Sequence, residues 1–168
     1  IEHDDFMEVP PKKFFRLSVG SEVRLRYAYG ISCKQAIKDE QGNIIELRCT
    51  YDPDTGGGKT SDGRKIKGII HWVSASQGVP VIVNLLDRLF NVEEPWSSEN
   101  FTDNINQQSL DVCTTAVAEP LLAQSTTSDV FQFERLGYFC REKTELKSEI
   151  IFNRTVTLRD TWAKMSKS

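Results

Sequence analysis

The chain has 168 residues and a mass of 19.1 kDa, with 39% hydrophobic and 27% charged residues. That suits one ordinary domain or two small barrels, with core enough to fold without disulfide or metal staples. A net charge of −3 argues against a general polyanion binder, and no apolar run approaches the ~18 residues of a membrane-spanning helix. The stretch Ile1 to Val9 carries Glu2, Asp4, Asp5 and Glu8 with no Lys or Arg, which is not a secretory signal, and the missing initiator Met suggests a fragment or a processed chain.

Strand signals dominate from the start. Glu22 to Tyr29 alternates strictly, which predicts a strand with Val23, Leu25, Tyr27 and Tyr29 on one face and Arg24 and Arg26 together on the other. Cys33–Ile37 and Ile44–Tyr51 flank the turn formers Asp39 to Asn43, a hairpin signature. A turn-rich loop over 52–59 leads to a strand expected from about Lys65 to Val73. Pro80–Leu86 alternates again, and Leu86–Phe90 could form one helical turn. Residues 92–130 are the least regular, with exposed loops expected around Trp96 and Ser125. Phe131–Phe133 and Tyr138–Cys140 predict a hairpin around Leu136 and Gly137, and Ile150–Leu158 a last strand. Many short strands without a long amphipathic helix indicate an all-β chain, a sandwich or barrels.

Charge is unevenly spread. Lys12, Lys13, Arg16, Arg24 and Arg26 lie within residues 10–30 against Glu22 alone. Lys59, Arg64, Lys65 and Lys67 form a second basic segment, and residues 135–168 a third. From Leu89 to Glu134 there are eight acids and no Lys or Arg. Separated basic segments in a net-acidic chain point to a local polyanion contact, with the acidic stretch turned away from it.

Catalytic patterns do not assemble. The four cysteines, Cys33, Cys49, Cys113 and Cys140, form no C-x-x-C pair and sit by apolar runs, as buried free thiols of a reducing compartment do. Gly56-Gly57-Gly58-Lys59-Thr60 resembles the end of a phosphate-binding loop, but Pro53 replaces its first glycine and a turn follows the threonine. Lys164 to Ser168 spells the KMSKS sequence of class I tRNA synthetases, but at the chain's end, where it reads as a polar tail. His71 beside Trp72 reads as a packed residue, and Trp72 and Trp162 as core.

Several blocks carry a resemblance. Lys12-Lys13-Phe14-Phe15-Arg16-Leu17 followed by Gly20 to Arg26, then Gly63 to Ser74, Asp87 to Phe90, Phe131 to Arg135 with Gly137-Tyr138-Phe139, and Phe152 to Trp162, occur in the order seen in glutaminyl-tRNA synthetases. The chain resembles the C-terminal anticodon-binding region of that family across nearly its whole length. The resemblance implies two small β-barrels of the ribosomal-protein-L25-like type, with the region's first strand or strands missing. The expected division is a first barrel over 1–74, a second over 75–148, and a C-terminal strand and tail over 149–168 packing back; strands swapped between barrels would blur it.

The resemblance also implies function. The family is cytoplasmic and ligates glutamine to its tRNA using ATP and magnesium in a catalytic domain absent from these residues. This chain is then expected to hold no catalytic residue, metal or cofactor, to be inactive alone and monomeric, and to touch no membrane. Its partners would be the anticodon loop of glutamine tRNA and the catalytic domain of the same polypeptide. By matching positions, Arg24 and Arg26 fall at the first anticodon base and Arg16 at the third, with Lys12 and Lys13 nearby. Gln132 and Arg135 fall at the middle base, where a glutamine's donor and acceptor suit the edge of uracil. Arginine suits such work because its planar fork both stacks and donates in pairs. Two alternatives stay open: the related glutamyl-tRNA synthetase region, and a protein-interaction β-barrel docking through its acidic 89–134 stretch.

Overall fold

A computed structural model describes residues 1–143 and 149–158. The chain divides into two units, Ile1–Trp72 and Val73–Ser168. Both are built of strands joined by turns and short 3₁₀ segments, so the all-β expectation holds. The sheets have four and five strands; both are open ladders, consistent with small barrel-like units rather than closed barrels.

The first unit carries β1 (Glu22–Leu25), β2 (Gly30–Lys38), β3 (Ile44–Asp52) and β4 (Ile69–Ile70), in the spatial order β3-β2-β1-β4. β1 and β4 run parallel; the other pairs are antiparallel. The β2–β3 turn is closed by local chemistry. The Asp39 carboxylate accepts from the backbone N–H of Gln41 at 2.9 Å and of Asn43 at 2.8 Å, and Gly42 takes the left-handed φ of +87°. The core packs Leu17, Val23, Cys33 and Ile70, with Phe6, Leu25, Ile31 and Leu47 against it.

The second unit carries β5 (Val79–Leu86), β6 (Leu110–Ala118), β7 (Val130–Phe133), β8 (Gly137–Arg141) and β9 (Ile151–Val156), in the order β6-β5-β9-β8-β7. β9 lies parallel to β5 and antiparallel to β8. Val81, Val83, Ala118, Leu122, Phe139 and Phe152 form its core. Phe133 stacks on Phe139 at 4.2 Å and meets Phe152 edge-on at 5.3 Å.

Five local expectations are corrected. The first strand stops at Leu25, because the N–H of Ala28 returns to the Leu25 carbonyl and Tyr27 takes a φ of +59°. The strand expected over 65–73 shrinks to Ile69–Ile70. Just before it, Gly68 passes so close to the Phe15 carbonyl that a Cβ would fall 2.2 Å from its oxygen. No helical turn follows β5: Asp87 continues pairing with Ser109 and Phe90 bridges Ile105. The irregular stretch contains a nine-residue strand, β6, paired along β5. Of the thiols only Cys33 is buried; Cys49, its partner across β2 and β3, is exposed. The Arg159–Trp162 part of the last sequence block and the tail Lys164–Ser168 lie outside the described residues.

Candidate nucleic-acid interface

The hairpin between β1 and β2 carries two of the first unit's basic residues, Arg24 and Arg26. Arg24 sits on β1, and its guanidinium does not project freely. One terminal nitrogen donates to the carbonyls of Thr55 at 2.5 Å and Ala28 at 3.1 Å; the other donates to Gly58 at 3.2 Å. The fork therefore clamps the 3₁₀ turn Pro53–Thr55 and the following glycines onto the hairpin tip. The Thr55 hydroxyl, fully buried, closes the same junction by accepting from the N–H of Gly30 at 2.7 Å and donating to the Asp52 carbonyl at 2.6 Å.

Arg26 lies beyond the strand end, in the turn. Its guanidinium carbon is 5.6 Å from the centre of the Tyr27 ring, and Tyr27 is 93% exposed. The backbone at Arg26 is held on both sides: its N–H donates to Ile70 at 2.9 Å and its carbonyl accepts from the Trp72 indole at 3.0 Å. The shared strand face expected for Arg24 and Arg26 thus gives way to two roles, one side chain bonded inward to backbone and one carried on the turn.

Beside the turn opens a cleft of about 660 Å³, lined by Leu25, Tyr27, Tyr29, Tyr51, Trp72 and the backbone of Gly56, among others. Tyr29 and Tyr51 meet edge to face at 5.4 Å. Trp72, expected in the core, is instead 38% exposed on this wall. Such a cleft offers flat π-faces and an apolar floor, which is what an unstacked nucleobase needs. Period-two alternation hid Tyr27 and Tyr29 among core residues. The available signal was the run Arg-Tyr-Ala-Tyr, which pairs guanidinium with aromatic rings.

The remaining predicted residues fall on other elements. Lys12 and Lys13 occupy the centre of a turn closed by the Phe14 N–H on the Pro11 carbonyl, with Lys13 at φ +69°, and both are exposed. Arg16 donates to the Asp4 carbonyl at 2.8 Å, and its Nε lies 3.7 Å from the fully buried Asp5 carboxylate. In the second unit, Gln132 is exposed on the edge strand β7, paired in register with Tyr138. Arg135 is exposed at the left-handed position of the turn that joins β7 to β8, with φ +63°. Gln132 and Arg135 therefore share one hairpin, as Arg24 and Arg26 share another.

Arg64, grouped in the second basic segment, is a structural hub. It bonds Glu22 and Asp62 at 2.8 Å and Asp52 at 2.5 Å, fastening the loop after the glycines to β1 and to the end of β3. These bonds hold the Asp52 and Asp62 carboxyls below the usual carboxylate range and raise the guanidinium further above its own. The residues Gly56 to Thr60 do not fit a nucleotide phosphate site. The chain turns at Thr60–Gly63 instead of entering a helix, and the carbonyls of Thr55 and Gly58 face the Arg24 fork. Among the described residues no group of three or more His, Cys, Asp or Glu side chains could hold a metal ion, and no helix is long and apolar enough to cross a membrane.

Two models described as tRNA synthetases class I (E and Q), anti-codon binding domain, match residues 1–52 and 69–142. Glutamine–tRNA ligase of Nitrobacter hamburgensis is 53% identical over 166 residues, covering 99% of this chain and 29% of that protein. The ligases of Pseudomonas putida and Vibrio vulnificus are 54% and 50% identical, over 96% and 98% of this chain. The chain spans about three tenths of the length of these relatives. It belongs to the anticodon-binding domains of the class I glutamate- and glutamine-type tRNA synthetases.

Proposed function

We propose that this chain is the anticodon-reading part of a glutamine–tRNA ligase. The observation that carries the reading is the aromatic cleft of Tyr27, Tyr29, Tyr51 and Trp72 beside Arg26, an arginine whose own ring neighbour is solvent-exposed. A base released from the anticodon loop would stack in the cleft while the Arg26 fork meets its edge or the adjoining phosphate. This is the first anticodon base in the proposal, and Arg24 serves it by holding the cleft's wall in place. Arg16, with Lys12 and Lys13 on the neighbouring turn, takes the third base and its phosphates. Gln132 and Arg135, on one hairpin, take the middle base.

The longer protein would supply the rest: a catalytic domain on the same polypeptide, ATP and magnesium, and the joining of glutamine to the tRNA. It would work as a cytoplasmic monomer.

The test is binding of this chain to an anticodon stem-loop of glutamine tRNA at two salt concentrations, beside stem-loops changed at each base and one of glutamate tRNA. Binding should be weakened by salt and by each base change. Arg26→Ala should erase discrimination at the first base, and Gln132→Ala at the middle one, each costing about 1–3 kcal/mol. Equal binding of all stem-loops by parent and variants would refute the assignment. Preference for the glutamate stem-loop would move the chain to the sister enzyme.

A further inference from the structure

The tip of the long β5–β6 hairpin carries a second aromatic group, far in character from the first. Phe90, Trp96 and Phe101 touch one another, with centroids 5.8, 6.4 and 5.2 Å apart, and stand outside the core of their unit. Trp96 is 71% exposed and Phe101 44%. The ledge that holds them is closed by its own polar groups. Asn91 N–H donates to the Asn104 carbonyl at 2.9 Å, and the Asn104 amide reaches the Ser98 hydroxyl at 2.7 Å. The Asn100 side chain caps the 3₁₀ turn Phe101–Asn104 by accepting from the Thr102 N–H at 3.4 Å, and it also accepts from the Thr102 hydroxyl at 2.7 Å; Pro95 is buried. An exposed loop fixed this tightly holds its tryptophan in one place, so little ordering cost remains for a partner to meet.

The rim fixes the partner's chemistry. Glu93 and Glu94 precede the buried proline, and Glu99 and Asp103 flank Phe101; all four are exposed and none is in a salt bridge among the described residues. No Lys or Arg occurs between Leu89 and Glu134. Phosphate would be repelled here, so RNA is the wrong occupant. The three rings contact one another edge-on or tilted, with centroids 5.2 to 6.4 Å apart, rather than facing a shared centre, so a caged single cation is also wrong. We infer that the Phe90–Trp96–Phe101 ledge is a protein-docking surface for a basic segment that alternates Arg or Lys with bulky apolar side chains. The apolar side chain would cover the rings, a guanidinium would lie over Trp96, and its neighbours would pair with Glu93 and Glu94.

The probe is a short fluorescent peptide of alternating Arg and Leu, titrated with this chain, beside Arg–Ser and Glu–Leu peptides. The Arg–Leu peptide should bind and the Glu–Leu peptide should not, with the Arg–Ser peptide weaker by about tenfold or more. Trp96→Ala and the pair Glu93→Gln with Glu94→Gln should each weaken Arg–Leu binding by about tenfold, while Trp96→Phe keeps most of it. Circular dichroism of each variant controls for folding. Arg–Leu binding that ignores Trp96→Ala, equal Arg–Ser binding, or no binding at all would overturn the inference. So would loss of anticodon stem-loop binding in Trp96→Ala, which would make the ledge an RNA surface. Self-association that Trp96→Ala abolishes in sedimentation would make a second copy the occupant and overturn it equally.

Discussion

The guanidinium of Arg24 donates to the backbone carbonyl of Thr55 at 2.5 Å, across 31 residues of sequence. This one bond, with its companions to Ala28 and Gly58, joins the hairpin that carries Arg26 to the loop that walls the aromatic cleft. Two arginines two residues apart in sequence thus differ: Arg24 is bonded inward to backbone, and Arg26 is the one proposed to meet a base.

Arg24→Ala should therefore lower stability by about 2–3 kcal/mol, because it orphans carbonyls that a charged fork now satisfies. Arg24→Lys should recover only part, since an ammonium cannot span the same fork. Arg26→Ala should cost less stability than Arg24→Ala while weakening stem-loop binding. Thermal melts beside binding titrations check this. A stable Arg24→Ala with selectively lost RNA binding would return Arg24 to direct base contact.

What the sequence made legible was whatever local chemistry decides. The β2–β3 hairpin was readable because Asp39 and Gly42 build its turn within five residues. The β7–β8 hairpin was readable for the same reason, with Phe131 and Phe133 in period two. β6 was not, because it is an edge strand with most of its residues exposed, and its pairing with β5 supplies the order its pattern lacks. The cleft was hidden because alternation runs on through Tyr27 in sequence, whereas the backbone turns there with a positive φ. The family resemblance named the basic residues as candidates. The inward use of Arg24 was not, because its acceptors are backbone carbonyls of a distant loop.

Acid should loosen the loop held by Arg64. Asp52 and Asp62 are depressed chiefly by hydrogen bonds from that guanidinium. Carboxyls with lowered folded-state pKa values stabilise the fold above their unfolded value, about 3.9, and lose that contribution as pH falls through the folded value. The thermal midpoint should thus drop below pH ~4. In Arg64→Ala the midpoint should be lower at neutral pH and fall less steeply below pH ~4. Parallel curves for parent and variant between neutral and acid pH would show that other groups control the acid transition.

Cys49 is exposed, yet it should alkylate slowly. Loss of solvation in the sheet, and then the adjacent Cys33, push its thiol up to about 11. The thiolate is the reactive form, so at pH 8 roughly one molecule in a thousand carries it. Iodoacetamide labelling of Cys49, followed by peptide mass spectrometry, should rise about tenfold per pH unit up to about pH 10. Cys33→Ala should speed it by removing the neighbouring thiol. A plateau near the ordinary thiol value would show that neither burial nor Cys33 acts on it.

Gly56→Ala tests the cleft with little disturbance of the fold. Gly56 has φ −58° and ψ −28°, so its backbone does not require glycine. The space does: a Cβ would fall 2.8 Å from Cε1 of the Tyr29 ring. That ring is the outer part of a side chain 42% exposed, so it can swing aside at a stability cost under about 1 kcal/mol. In swinging it leaves its edge-to-face contact with Tyr51 and changes the cleft wall. Stem-loop binding should then weaken by about 1–2 kcal/mol, the scale of one lost base stack, with the thermal midpoint nearly unchanged. Chemical-shift changes should centre on Tyr29, Tyr51 and Trp72. If binding is intact while those shifts confirm a remodelled cleft, the base does not stack there, and Arg26 must read it from outside the aromatic wall.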